Sequence, residues 1–187
     1  MSIRRTLVAA GLLTAALALT GCGGDDAGAV PDGWGTLDTK GVSVSYPEGS
    51  GGFRAQTDAE RDKHNAAAAE RDESGRTVAL MTVQLDFTRA KSAEQAAIAA
   101  EAGIALGAKV TSDKDVRLAG TDEARRVDFT FTATGEDGGP AKGTPVEGVI
   151  LTGLDSSGKT FAVRVDAQRG KLSDAELTKI VKSVEVH

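Results

Sequence analysis

Val146-Glu-Gly-Val-Ile-Leu-Thr-Gly-Leu154, Asp155-Ser-Ser-Gly158 and Phe161-Ala-Val-Arg-Val-Asp-Ala167 read in that order as strand, turn and strand. In the second run Phe161, Val163, Val165 and Ala167 recur at the two-residue side-chain period of a β-strand. Asp, Ser and Gly in the connection are turn formers, so the whole stretch predicts a hairpin. Upstream, residues 126–133 alternate as cleanly, with Val127, Phe129, Phe131 and Ala133 on one face and Asp128, Thr130 and Thr132 on the other. Strands with one apolar and one polar face favour antiparallel pairing.

Further strands flank this centre. Val78, Leu80 and Thr82, followed by Val83, Leu85 and Phe87, make residues 77–87 a long strand whose facing shifts midway. Val42-Ser-Val-Ser-Tyr46 alternates and ends at Pro47, with residues 48–52 as a loop. Val110 and residues 116–118 suggest a weaker strand pair turning around Ser112-Asp113-Lys114. Two helices stand out. Residues 92–106 are Ala-rich behind the N-cap candidate Ser92, with Gly107 as terminator. A closing helix starts at Ser173, where Glu176 completes a capping box and Leu177, Ile180, Val181 and Val184 share a face. Residues 57–73 carry two readings. Thr57 with Glu60 fits a capping box and a helix from Asp58, whereas Ala66-Ala-Ala-Ala69 also suits a strand that turns at Glu73-Ser-Gly75. The fold class expected is α+β: an antiparallel β-sheet flanked by helices, forming one domain over residues 34–187 with no internal repeat.

The N-terminus carries a different signal. Arg4 and Arg5 precede an uncharged apolar run from Leu7 to Leu19, the pattern of a secretory signal peptide. The run is diluted by Ala, Gly and Thr, which argues against an uncleaved membrane span. It ends at Leu19-Thr20-Gly21-Cys22, which resembles the bacterial lipobox. That resemblance implies a signal peptide over residues 1–21, cleavage between Gly21 and Cys22, and lipid attached to Cys22, the one cysteine of the chain. A lone cysteine forms no intramolecular disulfide, and lipidation would remove an unpaired thiol outside the cell. Residues 22–33 read as a flexible Gly- and Asp-rich tether. The expected partner is therefore the membrane, through lipid on Cys22, with the domain on the outer face of the cytoplasmic membrane.

The mature pattern resembles the Mog1/PsbP-like α/β/α sandwich. Gly41-Val-Ser-Val-Ser-Tyr46-Pro47-Glu48-Gly49 is similar to that fold's opening strand and Pro-x-Gly corner, residues 92–106 to its mid-chain helix, and residues 172–186 to its closing helix and exit. Ser50 stands where a Trp often follows the corner. No functional motif of the family matches, so the resemblance implies a fold and no site residue.

Chemistry is sparse. The net charge is −5, and −7 without Arg4 and Arg5, which argues against nucleic acid as a partner. With 1 Trp, 1 Tyr and 5 Phe, stacked-ring carbohydrate platforms are disfavoured. His64, among Arg61, Asp62, Lys63 and Asn65, reads as a solvated helix histidine, and no HExxH accompanies it. Ser43 and Ser45 fall short of GxSxG and sit in a strand, where that motif needs an elbow. Asp113-Lys-Asp115 begins like a calcium loop, but Arg117 follows where a ligand is needed. Residues 136–140 are a polar loop, Gly103 and Gly107 a helix end, Ser183 a packing or capping residue, and Trp34 the first core residue. No GxxxxGK[ST] or GxGxxG occurs. The reading is a non-enzymatic envelope lipoprotein binding a protein partner or small ligand, with no catalytic residue, metal or cofactor called for. Two alternatives stand: an envelope enzyme whose site is assembled from sequence-distant residues, marked by His64 lying beside two carboxylates, and a small solute-binding component of a transporter.

Overall fold

The computed structural model describes residues 30–136 and 138–187. The signal segment, Gly21, Cys22 and most of the tether lie outside them. The described chain is α+β and mostly antiparallel sheet. Strand β1 (Trp34–Asp38) and β2 (Val42–Pro47) form a hairpin, and β10 (Glu185–Val186) adds to the other side of β2. The remaining strands are β3 (Arg54–Ala55), β4 (Ala67–Glu73), β5 (Arg76–Leu85), β6 (Lys109–Leu118), β7 (Thr121–Thr132), β8 (Pro145–Leu154) and β9 (Thr160–Gln168). They make a seven-stranded sheet in the order β3-β4-β5-β9-β8-β7-β6, antiparallel throughout. Helices α1 (Ala93–Ala102) and α2 (Asp174–Lys182) complete the element set among the described residues.

The period of two sorts the large sheet into two faces. On one, Met81 and Val83 of β5, Val163 and Val165 of β9 and Val149 and Leu151 of β8 pack against Val42, Val44 and Tyr46 of the small sheet and Ile180 and Val184 of the α2 segment. On the other, Val127, Phe129, Ile150 and Ala162 meet Ala97 and Ala100 of α1. The alanines of α1 leave little side chain between helix and sheet, and Ala96 and Ala97 are fully buried. The coverage is uneven: α1 lies over β7, β8 and β9, so on its face β4 and β5 carry no helix.

Local rules account for most boundaries. Ser92 accepts the Gln95 N–H at 3.3 Å, and at α2 Ser173 and Glu176 form the full capping box. The β4–β5 hairpin turns through Ser74 at φ +54° and Gly75 at φ +76°, the two left-handed residues a tight two-residue hairpin needs. The β8–β9 hairpin turns at residues 155–158, where Asp155 Oδ1 accepts the Ser157 and Lys159 N–H groups. Ser183 caps α2 and ties it to the small sheet: its hydroxyl donates to Ile180 O at 2.8 Å and accepts the Ser45 N–H at 2.9 Å.

Four expectations need correction. Residues 57–65 form turns and no helix: Thr57 and Glu60 do contact each other, but they close a single turn, and β4 follows. The strand reading of residues 66–73 holds, because the row of alanines pairs with β5 and fits beneath the covering layers. Strand β5 shows no shift in facing. It lies between β4 and β9 and is apolar on both sides, so Val78 and Leu80 point one way and Ala79, Met81 and Val83 the other. Helix α1 ends at Gly103, four residues before Gly107. Residues 109–118 are one continuous edge strand, because Asp113 and Lys114 pair with Val127 and Arg126 and do not turn.

Candidate functional site

The face that α1 leaves open supplies the main concavity. Leu80 of β5 and Asp166 of β9 line two adjoining hollows of about 480 and 390 Å³. Both volumes fall in the usual range of small-molecule sites. The first hollow lies between the C-terminal end of α1 and the loop of residues 57–65. Its floor is Leu80, Thr82, Ile150 and Ala162, with Phe87 on one wall and Asp62, His64 and Asn65 on another. The second is walled by Val78, Val146, Phe131 and the loop at Gly138, Gly139 and Pro140, with Gln56 and Glu70 toward β3.

Arg164 and Asp166 sit together in this groove because residues two apart on a strand share a face. The Arg164 Nη2 to Asp166 Oδ2 distance is 2.7 Å, and Arg164 Nε donates to both carboxylate oxygens at 2.9 Å. The guanidinium also stacks over Phe129, with Cζ 5.1 Å from the ring centroid, and its Nη1 donates to Gly103 O at 3.2 Å. Gly148 lies opposite Asp166 in the sheet, and a Cβ there would stand 2.7 Å from Asp166 Oδ1 and 2.5 Å from Phe129 Cζ. The missing side chain is thus what makes room for the carboxylate. The Asp166 side chain is 17% exposed. Burial pushes its carboxyl above the ordinary aspartate value, against the opposing charge and hydrogen bonds of Arg164.

The loop beside the first hollow is held by its own polar contacts. Glu60 accepts the Thr57 N–H at 2.8 Å and the Thr57 hydroxyl at 2.9 Å, and pairs with Arg54. The Thr57 N–H first, then Arg54 and the Thr57 hydroxyl, hold the Glu60 carboxyl at about 2. Arg61 Nε donates to Asn65 O at 2.9 Å, and Asn65 Oδ1 accepts from Gln84 Nε2 at 3.2 Å. The Ala66 N–H donates to Val83 O, which delivers the chain into β4.

His64 is exposed and lies in this loop, so it is not the helix residue its neighbours suggested. It does line one hollow together with Asp62 and Asp166, although its imidazole makes no hydrogen bond to the described residues. Asp113 and Asp115 form no cation loop: Arg125, across the β6–β7 ladder, donates a hydrogen bond to each, at 3.0 and 2.8 Å. Ser43 and Ser45 stay within β2, and Ser45 is buried. Trp34 is partly buried against the main core. Among the described residues no group of three or more His, Cys, Asp and Glu is placed to hold a metal ion, and no helix is long and apolar enough to cross a membrane.

The Arg164–Asp166 pair was the residue-level feature missed in the sequence. Its signal was present, as two opposite charges at the polar positions of a strand, but alternation alone reads those positions as solvent-facing. No family model matches the chain, and no curated protein matches it. Among solved structures, a crystal structure from Bacteroides thetaiotaomicron VPI-5482 is similar at a TM-score of 0.46 and 11% identity, over 78% of this chain and 45% of that one. The chain thus spans less than half the length of the structure it matches.

Proposed function

We propose that the protein is a lipid-anchored, extracytoplasmic binding protein that holds a small ligand in the groove on the α1 face. One observation carries the binding reading: the half-covered sheet face, where an apolar floor meets a half-buried Arg164–Asp166 pair. Apolar walls with a few fixed polar groups are the make-up of a small-molecule site. The anchor rests on the lipobox-like Leu19-Thr20-Gly21-Cys22 behind a basic start and an apolar run. Two acyl chains would give stable attachment, and the tether would hold the domain near the membrane. The antiparallel sheet with α1 on one face and α2 with the small sheet on the other supports a Mog1/PsbP-like sandwich as the fold family.

Intact-mass analysis of the membrane fraction tests the anchor. The wild-type protein should begin at Cys22 and carry added lipid mass, and Cys22→Ser should lose both the mass and the membrane association. A chain that remains uncleaved or unmodified overturns this part of the reading.

An envelope enzyme is the second reading, favoured by His64 lining one hollow with Asp62 and Asp166. Under it, turnover of simple chromogenic esters, phosphates or glycosides should vanish in His64→Ala. Turnover that survives the substitution removes His64 from any such role.

A further inference from the structure

Building on the groove as the ligand site, we infer that its ligand is a small organic cation, an amine or guanidine on an apolar body, whose charge is received at Asp166 and Asp62. The charges bordering the groove are unequal. Among the described residues lining the two hollows, Asp62, Glu70 and Asp166 are acidic and Arg164 alone is a permanent cation. Glu70 is answered from outside by Arg54 and Gln56, whereas Asp62 has no ion-pair partner among the described residues.

A second, independent field has the same sign. The first hollow takes in Gly103, the C-cap of α1, and the last turn of that helix carries no basic residue. The carbonyl end of a helix holds a partial negative charge that favours cations. Arg164 already responds to it, donating to Gly103 O while stacked on Phe129. The protein's own guanidinium therefore shows what this corner of the groove attracts: a flat or compact cation with carbonyl, carboxylate and aromatic neighbours. A ligand anion would face Asp62, Asp166 and a helix C-terminus for the sake of one guanidinium that Asp166 engages at both oxygens. The net charge of −5 acts in the same direction at longer range.

The rest of the ligand is set by the floor and walls. Leu80, Ile150 and Phe87 offer apolar contact, and the two hollows together accommodate a body of one or two rings or an equivalent alkyl chain. Burial keeps the Asp166 carboxyl above its ordinary value, so its negative charge is incompletely compensated by Arg164 and gains from a second cation.

Three probes of one shape and different charge test this: phenethylamine, phenethyl alcohol and hydrocinnamate, titrated into the Cys22→Ser protein and followed by amide NMR shifts. Phenethylamine is expected to shift residues around Leu80, Thr82 and Arg164 and to bind at least about tenfold more tightly than the other two. Asp166→Asn should abolish the preference. Asp62→Asn, at an exposed loop position, should reduce it, and this variant keeps the test decisive if Asp166→Asn fails to fold. Equal binding of all three probes, or a preference for hydrocinnamate, overturns the cation while leaving the groove as a site. Absence of shifts in the groove, or shifts that persist when Leu80→Arg fills it, overturns the groove and the cation together.

Discussion

At the scale of single residues, the molecule is most sensitive where a side chain is missing. Gly148 has ordinary strand geometry, so its identity is set by its neighbours: Phe129 and Asp166 occupy the space a methyl group would need. Gly148→Ala is expected to cost about 1–3 kcal/mol, the usual penalty for overpacking a filled interior. Thermal unfolding should show the loss, together with displaced resonances for Phe129 and Asp166. An unchanged midpoint would mean that the sheet yields there and that the carboxylate is not tightly placed. The Arg71 side chain sets a second such point. It is 8% exposed, lies with Cζ 4.8 Å from the Phe53 ring centroid, and donates to Lys171 O at 2.7 Å and Glu176 Oε1 at 2.9 Å. Its Nε has no hydrogen-bond partner in the described structure.

At the scale of elements, that same contact joins β4 to the first turn of α2. Partial burial raises the Glu176 carboxyl, but the Ser173 N–H and hydroxyl and the Arg71 guanidinium outweigh it and leave it below its ordinary 4.5. A carboxyl lowered by folding stabilises the protein above its unfolded value and loses that contribution as pH falls through the folded one. Glu176→Gln should therefore cost about 1 kcal/mol near neutral pH, toward the low end for a charged hydrogen bond because the Glu176 side chain is 34% exposed. Urea unfolding of both proteins at neutral pH and near pH 3 checks this, and the gap should close in acid. The helices and hairpins were legible in the sequence because their signals are local: Ser92, the Ser173–Glu176 box, the 155–158 turn and the alternation of residues 126–133. Residues 57–65 misled because the Thr57–Glu60 contact is the same in an isolated turn as in a helix, and only the pairing of β4 decides between them. The apparent shift in β5 came from reading its apolar residues as belonging to one face, when the strand is apolar on both. The groove was not legible at all, since it depends on which strands α1 happens to cover.

At the scale of the whole molecule, the small sheet closes the fold. The strand β10 pairs with β2, the Val186 N–H donates to Ala119 O at 2.8 Å, and the His187 N–H donates to Gly41 O at 3.0 Å. Gly120 is the tight point of this seam. Its φ is +83°, and a Cβ there would stand 1.9 Å from Val186 O. Gly120→Ala is expected to destabilise the protein by about 2 kcal/mol or more and to loosen β10 first. Hydrogen exchange at Val186 and His187 should report the change, and unaltered protection there would show that the β6–β7 turn shifts to absorb the methyl group. The same seam also governs the order of events in folding. Ser45 and Ser183, joined by a hydrogen bond, are 138 residues apart in sequence. The β1–β2 hairpin leaves the ribosome early in the synthesis of this domain, yet β2 waits for partners made 138 residues later. Contacts so distant along the chain are closed slowly. Until they close, Val42 and Val44 lack part of their cover, so the β1–β2 hairpin is the segment a chaperone or a protease meets longest.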